Sequence, residues 1–211
     1  MDHDDFDQEP IRGLPEMLPE GETILWQGRP DWWALTVEAL SLKWVAGYFV
    51  VLFGWSAVVK GAEMSVPAAI GQSSFYLVLG GGVCLLLMAI GWAQAKSTVY
   101  TVTDRRVVMR IGAALTMTLQ FPFQWIGAAD LTTRRGGTGT IALRTLGKTR
   151  FSYLLLWPHL RPWRFAPTQP ALRCIPDAAR VARLMAEAVG SQPVPAPAPQ
   201  DAPAAMPVPA E

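Results

Sequence analysis

Apolar residues follow three different rhythms along this chain, and each rhythm predicts a different kind of element. "WVAGYFVVLFGWSAVV", between Lys43 and Lys60, is an unbroken run of sixteen uncharged residues, and "FYLVLGGGVCLLLMAIGWA", from Phe75 to Ala93, is a second run of nineteen. As helices they would be about 24 and about 28 Å long, close to the roughly 30 Å hydrocarbon core of a bilayer. Leu40, Ser41 and Leu42 extend the first run while Lys43 reaches towards headgroups. Transmembrane helices are therefore expected at about 41–60 and 74–95, joined by a loop from Gly61 to Ser74. No other part of the chain is large enough to cover both runs all round, so lipid suits them better than a soluble core.

Ahead of these spans, "RPDWWALTVEALSLK" starts with Pro30 and Asp31, a helix-start signal, and reads as an interfacial lead-in. From Ser97 the rhythm shortens to β-type runs: Val99 to Val102, Val107 to Ile111, Leu115 to Gln120, Ala129 to Thr133, Thr140 to Leu146 and Arg150 to Leu156. Turn signals such as "TDR", "RRGGTG" and "LGK" separate them at the spacing of an antiparallel meander. A short strand around Leu172 to Cys174 precedes the third rhythm. Val181, Leu184, Met185, Ala188 and Val189 recur at helical spacing, with Arg180, Arg183 and Glu187 opposite. The predicted architecture is a two-span transmembrane helical hairpin plus a small antiparallel β-barrel or sandwich, closed by that C-terminal amphipathic helix. Four regions follow: an acidic, partly disordered segment over 1–30, the lead-in and spans over 31–95, the β-domain with its helix over 96–190, and a disordered Pro/Ala tail over 191–211.

A formal net charge of +1 hides a strong segregation. Residues 1–30 hold eight acids against Arg12 and Arg29, a net charge of −6, whereas residues 96–190 hold fourteen Lys or Arg against four acids, a net charge of +10. Arg29, Lys43, Lys96, Arg105, Arg106 and Arg110 flank the outer ends of the spans, and the connecting loop has no cation beyond Lys60 at its edge. Positive charge gathers on the cytoplasmic side, so both termini are expected in the cytoplasm and the short loop outside. Trp44 and Trp92 lie at the interfacial level of the two spans. Gly47 and Gly54 share one helix face, and Gly80, Gly81 and Gly82 open a groove on the other helix. These glycines either pack the hairpin on itself or receive a helix of another protein, and self-association into a homo-oligomer stays open.

Candidate chemistry is sparse. Cys84 and Cys174 are isolated, which excludes a disulfide framework and zinc-ligand spacing. His3 and His159 stand in no nucleophile motif, and "GGTGT" matches no phosphate loop and reads as a hairpin turn. The expectation is a non-enzyme without cofactor or metal, and neither span has a histidine to hold a pigment. Arginines remain as the candidate membrane or partner contacts: Arg105, Arg106 and Arg110 at the membrane exit, Arg134 and Arg135 in a turn, and Arg161 and Arg164 around Trp163 in "RPWRF". Lipid headgroups or an acidic protein face suit them better than nucleic acid, for which no motif is present. Solvated loops are the plain alternative, and the acidic leader could fold back as a mask.

"LPEGETILWQGRPDW" before the hairpin and "VYTVTDRRVVMRIG" after it resemble the bacterial pleckstrin-homology-like membrane proteins. "RVVMRIGAALTMTLQFPFQWI", "LRPWRF" and "QPALRCIPDAARVARLMAEAV" are similar, more narrowly, to the PuhB family of photosynthetic complex assembly proteins of purple bacteria. The resemblance spans about Ile11 to Val189. It implies a pleckstrin-homology-like (PH-like) β-domain closed by Asp177 to Val189 and anchored in the bacterial inner (intracytoplasmic) membrane. It also implies a role in assembling the photosynthetic reaction centre with light-harvesting complex 1, whose subunits or assembly intermediates would be the partners together with membrane lipids. Rival expectations are an anionic-lipid-binding module and a structural subunit of a membrane complex. The family supplies no catalytic residue to transfer.

Overall fold

The computed structural model describes residues 11, 13–112, 116–134, 136–146, 152–164 and 166–191. Its first strand, β1 (Ile24–Gly28), lies inside the segment expected to be acidic and partly disordered. Only five residues long, β1 gives a weak sequence signal, yet it supplies the ladder partner for the edge of β2 (Val99–Thr103), with Gln27 opposite Thr101. Helix α1 (Trp32–Glu38) follows, capped by the Asp31 carboxylate, which accepts from the Ala34 amide at 2.7 Å. Ser41, in the left-handed region at φ 56°, breaks the chain between α1 and α2 (Leu42–Gly61).

Helix α3 (Val66–Ser97) is longer at its start than the pattern predicts. Most of the expected loop from Gly61 to Ser74 is helical, and the connection shrinks to Ala62–Ser65. Pro67 sits in the first turn, where its missing N–H costs nothing, and no breaker follows. The polar residues that suggested a loop are absorbed: Ser73 Oγ donates to Ser56 Oγ at 3.0 Å, and Ser74 Oγ donates back to the Gly71 carbonyl. At 32 residues, α3 is about 48 Å long, well beyond a hydrocarbon core. Both helices are long and apolar enough to cross a membrane, and their most apolar stretches are only 6% and 11% buried within the protein.

The β-domain has two antiparallel sheets. β2, β3 (Arg106–Ile111) and β4 (Met117–Pro122) extend β1 into a four-stranded sheet, and a 3-10 turn at Phe123–Trp125 leads to a three-stranded sheet of β5 (Ile126–Thr133), β6 (Thr138–Thr145) and β7 (Ala171–Pro176). Among the described residues no closed barrel forms; the sheets enclose a sandwich core with Tyr100, Val102, Met109, Phe121, Ile141, Leu143, Leu172 and Ile175 at its centre. Helix α5 (Ala178–Ser191) turns Ala178, Val181, Met185 and Ala188 into that core, so the predicted closing helix is present. It runs past Gly190, the expected terminator.

The sixth predicted strand, Arg150 to Leu156, is a difference. Its described part is the short helix α4 (Tyr153–Leu156), because β6 finds β7 as its second neighbour and leaves no ladder for it. Arg150, Phe151, Leu115, Arg135 and Phe165 lie outside the described residues, as do residues 1–10 and Arg12 of the acidic leader and the Pro/Ala tail over 192–211.

Candidate functional site

Two arginines expected at a free surface are held inside the protein. Arg106 donates through Nε and Nη2 to both carboxylate oxygens of Glu22, at 2.8 and 2.9 Å, and through Nη1 to Gln120. Glu22 belongs to the acidic leader, so part of that segment does fold back on the basic domain. Arg110 is buried and donates to the Ser97 carbonyl at 3.3 Å, placing a cation on the last carbonyls of α3 where the helix dipole is negative. Arg105 stays largely in solvent, reaching the Gly21 carbonyl at 3.3 Å, with Asp104 at 3.9 Å.

The second arginine group divides in the same way. Arg134 pairs with Glu38 at 2.6 Å, and Arg161 donates to Asp130 and Gln169. Asp130 also accepts from Arg144 at 2.7 Å, and the hydrogen bonds from Arg144 and Arg161 hold its carboxyl below the usual range. Trp163 is 87% exposed at φ 61°, with Arg164 exposed beside it. Leu154, Leu155 and Trp157 are exposed in the preceding residues, so this segment displays an apolar surface edged with positive charge.

Glycines in the hairpin play unequal parts. Gly80 packs against Phe49, where an added Cβ would lie 2.6 Å from the Phe49 side chain. A Cβ added at Gly47, Gly54, Gly81 or Gly82 would meet nothing within 4 Å, so the α2–α3 contact does not require these four glycines, and Gly47, Gly81 and Gly82 are exposed. Gly91 is the unanticipated one: Thr36 and Leu40 press on it, and a Cβ there would overlap the Thr36 hydroxyl. That contact seats α1 across the last turns of α3.

Two buried groups of polar residues lock the hairpin to the β-domain. In one, Glu38 of α1 pairs with Arg134, lies 4.0 Å from Arg173 Nη2 and accepts from Cys174 Sγ at 3.4 Å. Burial, with Glu38 as a further cause, pushes the Cys174 thiol up to about 12, so it remains a protonated donor. In the other, Thr98 gives its hydroxyl proton to the Gln94 carbonyl at 2.7 Å, so His159 Nε2–H donates to Thr98 Oγ1 at 3.3 Å. His159 Nδ1 then accepts from the Tyr100 hydroxyl at 2.6 Å, and that hydroxyl accepts from the Arg173 amide. Burial drives His159 down to about 3 and Tyr100 upward, leaving both neutral.

Sequence reasoning missed Glu38, His159 and Arg173 as junction residues. An acid in the lead-in helix beside a domain of net charge +10 was the available signal for Glu38; the other two gave none. Among the described residues, no cluster of His, Cys, Asp and Glu could hold a metal ion.

Two apolar helices joined through a buried polar junction to a two-sheet sandwich and closing helix define a membrane-type hairpin carrying a PH-like domain. The "Bacterial PH domain" family matches residues 40–189, and the chain belongs to that family. The match begins just ahead of α2 and takes in the whole hairpin. The chain is also 42% identical over 193 residues, 89% of each protein, to the Rhodobacter capsulatus "Uncharacterized 23.7 kDa protein in puhA 5'region". No solved structure matches it.

Proposed function

We propose that this protein is a membrane-anchored, non-enzymatic assembly factor of the PuhB kind for the photosynthetic reaction centre and light-harvesting complex 1. The observation behind this reading is its near full-length similarity to a protein encoded in the puhA 5′ region, a photosynthetic setting. The geometry is compatible with the role. The exposed hairpin glycines are free to meet a subunit helix, and the Trp163–Arg164 edge is free to meet a subunit face outside the bilayer. In this reading α2 and α3 span an inner membrane with both termini in the cytoplasm, because Arg29, Lys43 and Lys96 lie at one end of the hairpin and Ala62–Ser65 contains no cation.

The test is the near-infrared absorption of membranes from a strain lacking this gene, compared with its complemented parent. Selective loss of the core antenna and reaction-centre bands supports assembly; an unchanged spectrum overturns it. Retention in the purified core complex at one copy per reaction centre would instead identify a structural subunit. Reporter fusions at Glu63 and after Gly190 check orientation independently.

A further inference from the structure

Where α3 leaves its exposed apolar stretch and enters the junction, a cleft of about 480 Å³ opens between the start of α1 and the last turns of α3. Trp32 and Trp92 form its apolar walls, and Arg29 and Lys96 stand at its rim. Lys96 Nζ lies 5.2 Å from the Trp92 ring centre, a distance that holds the ammonium over the indole. Asp31 is the one acid in the lining, and its carboxylate already accepts from the Ala34 amide. Below the cleft, two turns back on the Trp92 face of α3, Leu85 is exposed.

We propose that this cleft seats one anionic phospholipid, with its phosphate between Arg29 and Lys96, its glycerol region against Trp32 and Trp92, and its acyl chains along α3. Cations above, indoles between and apolar helix below repeat the vertical order of a phospholipid at the interface. Charge complementarity selects an anionic headgroup, since the rim offers two cations and the single acid is turned into the helix start. A peptide would find few open backbone groups here, because Asp31 N already donates to the Cys174 carbonyl. The inference rests on the reading that α2 and α3 lie in a bilayer.

The experiment uses the full chain in vesicles of mixed phosphatidylglycerol and phosphatidylcholine with matched acyl chains, followed by gentle extraction and native mass spectrometry. The expected result is a retained phosphatidylglycerol adduct. Its retention should weaken about thirtyfold in the Arg29→Ala, Lys96→Ala double variant. Lys43→Ala, which removes an interfacial cation outside the cleft, should leave it unchanged. Equal retention of the two lipids, or an adduct indifferent to the double variant, overturns the site. Flotation of the vesicles separates the two readings: a chain that floats but retains no anionic lipid refutes the cleft alone, whereas one that fails to float refutes the membrane reading and the cleft together.

Discussion

The hairpin and the β-domain draw on similar stocks of Val, Leu, Ile and Trp and turn them in opposite directions. Val51, Trp55, Val58, Val78 and Leu85 of the helices are exposed, whereas Val102, Ile141, Leu143 and Leu172 of the sheets are fully buried. The sandwich must exclude water by packing side chain on side chain, while the hairpin relies on its surroundings to cover it. An apolar residue count therefore says little until the direction of each side chain is known.

The largest effect should separate the two regions by a single truncation. Leu172→Ala opens a cavity in the sandwich and should cost about 3 kcal/mol in chemical unfolding followed by tryptophan fluorescence. Leu85→Ala on the exposed helix face should stay within about 0.5 kcal/mol in the same detergent. Equal costs would mean that the hairpin has a packed core of its own.

A smaller contrast lies within the hairpin. Gly80→Val drives a branched side chain into Phe49 and should destabilise the helix pair by about 2 kcal/mol, whereas Gly81→Val meets open space. Proteolysis of the Ala62–Ser65 turn would report the difference.

A pH titration then sharpens the domain side. The unfolded chain takes up a proton on His159 below about pH 6.5 and the folded chain only near pH 3, so stability falls as the pH drops through that window. The slope should reach at most about 1.4 kcal/mol per pH unit, and His159→Gln should flatten it between pH 6.5 and 5. Smallest in stability is Trp163→Ala, expected to stay within about 0.5 kcal/mol, yet if the exposed edge meets a subunit it should lower core-complex yield.

Wherever one strong periodicity ruled a segment, the fold was legible. Unbroken apolar runs announced α2 and α3, and alternating β-branched residues announced β2 and β3. Reading failed where the partner was remote: β1 exists because β2 offers it an edge, and Tyr153–Leu156 is helical instead of a strand because β7 took that place beside β6. The arginine list divided into held and exposed members for a related reason, since charge is visible in a sequence and its neutralisation is not. Arg106 is held by Glu22, 84 positions away, and Arg134 by a helix on the far side of the hairpin in sequence. Gly80 and Gly81 are adjacent letters with opposite surroundings.

Because α3 passes into β2 through Thr98 alone, the protein has no swivel between its long helix and its sheet. With Gly91 seated under α1 and Thr98 hydrogen-bonded to His159, the helix behaves as a lever built into the domain. A tilt of about 10° along its about 48 Å length displaces the far end by about 8 Å. If α3 spans a bilayer as proposed, any change in its tilt reaches the β-domain as a change of angle over the membrane surface.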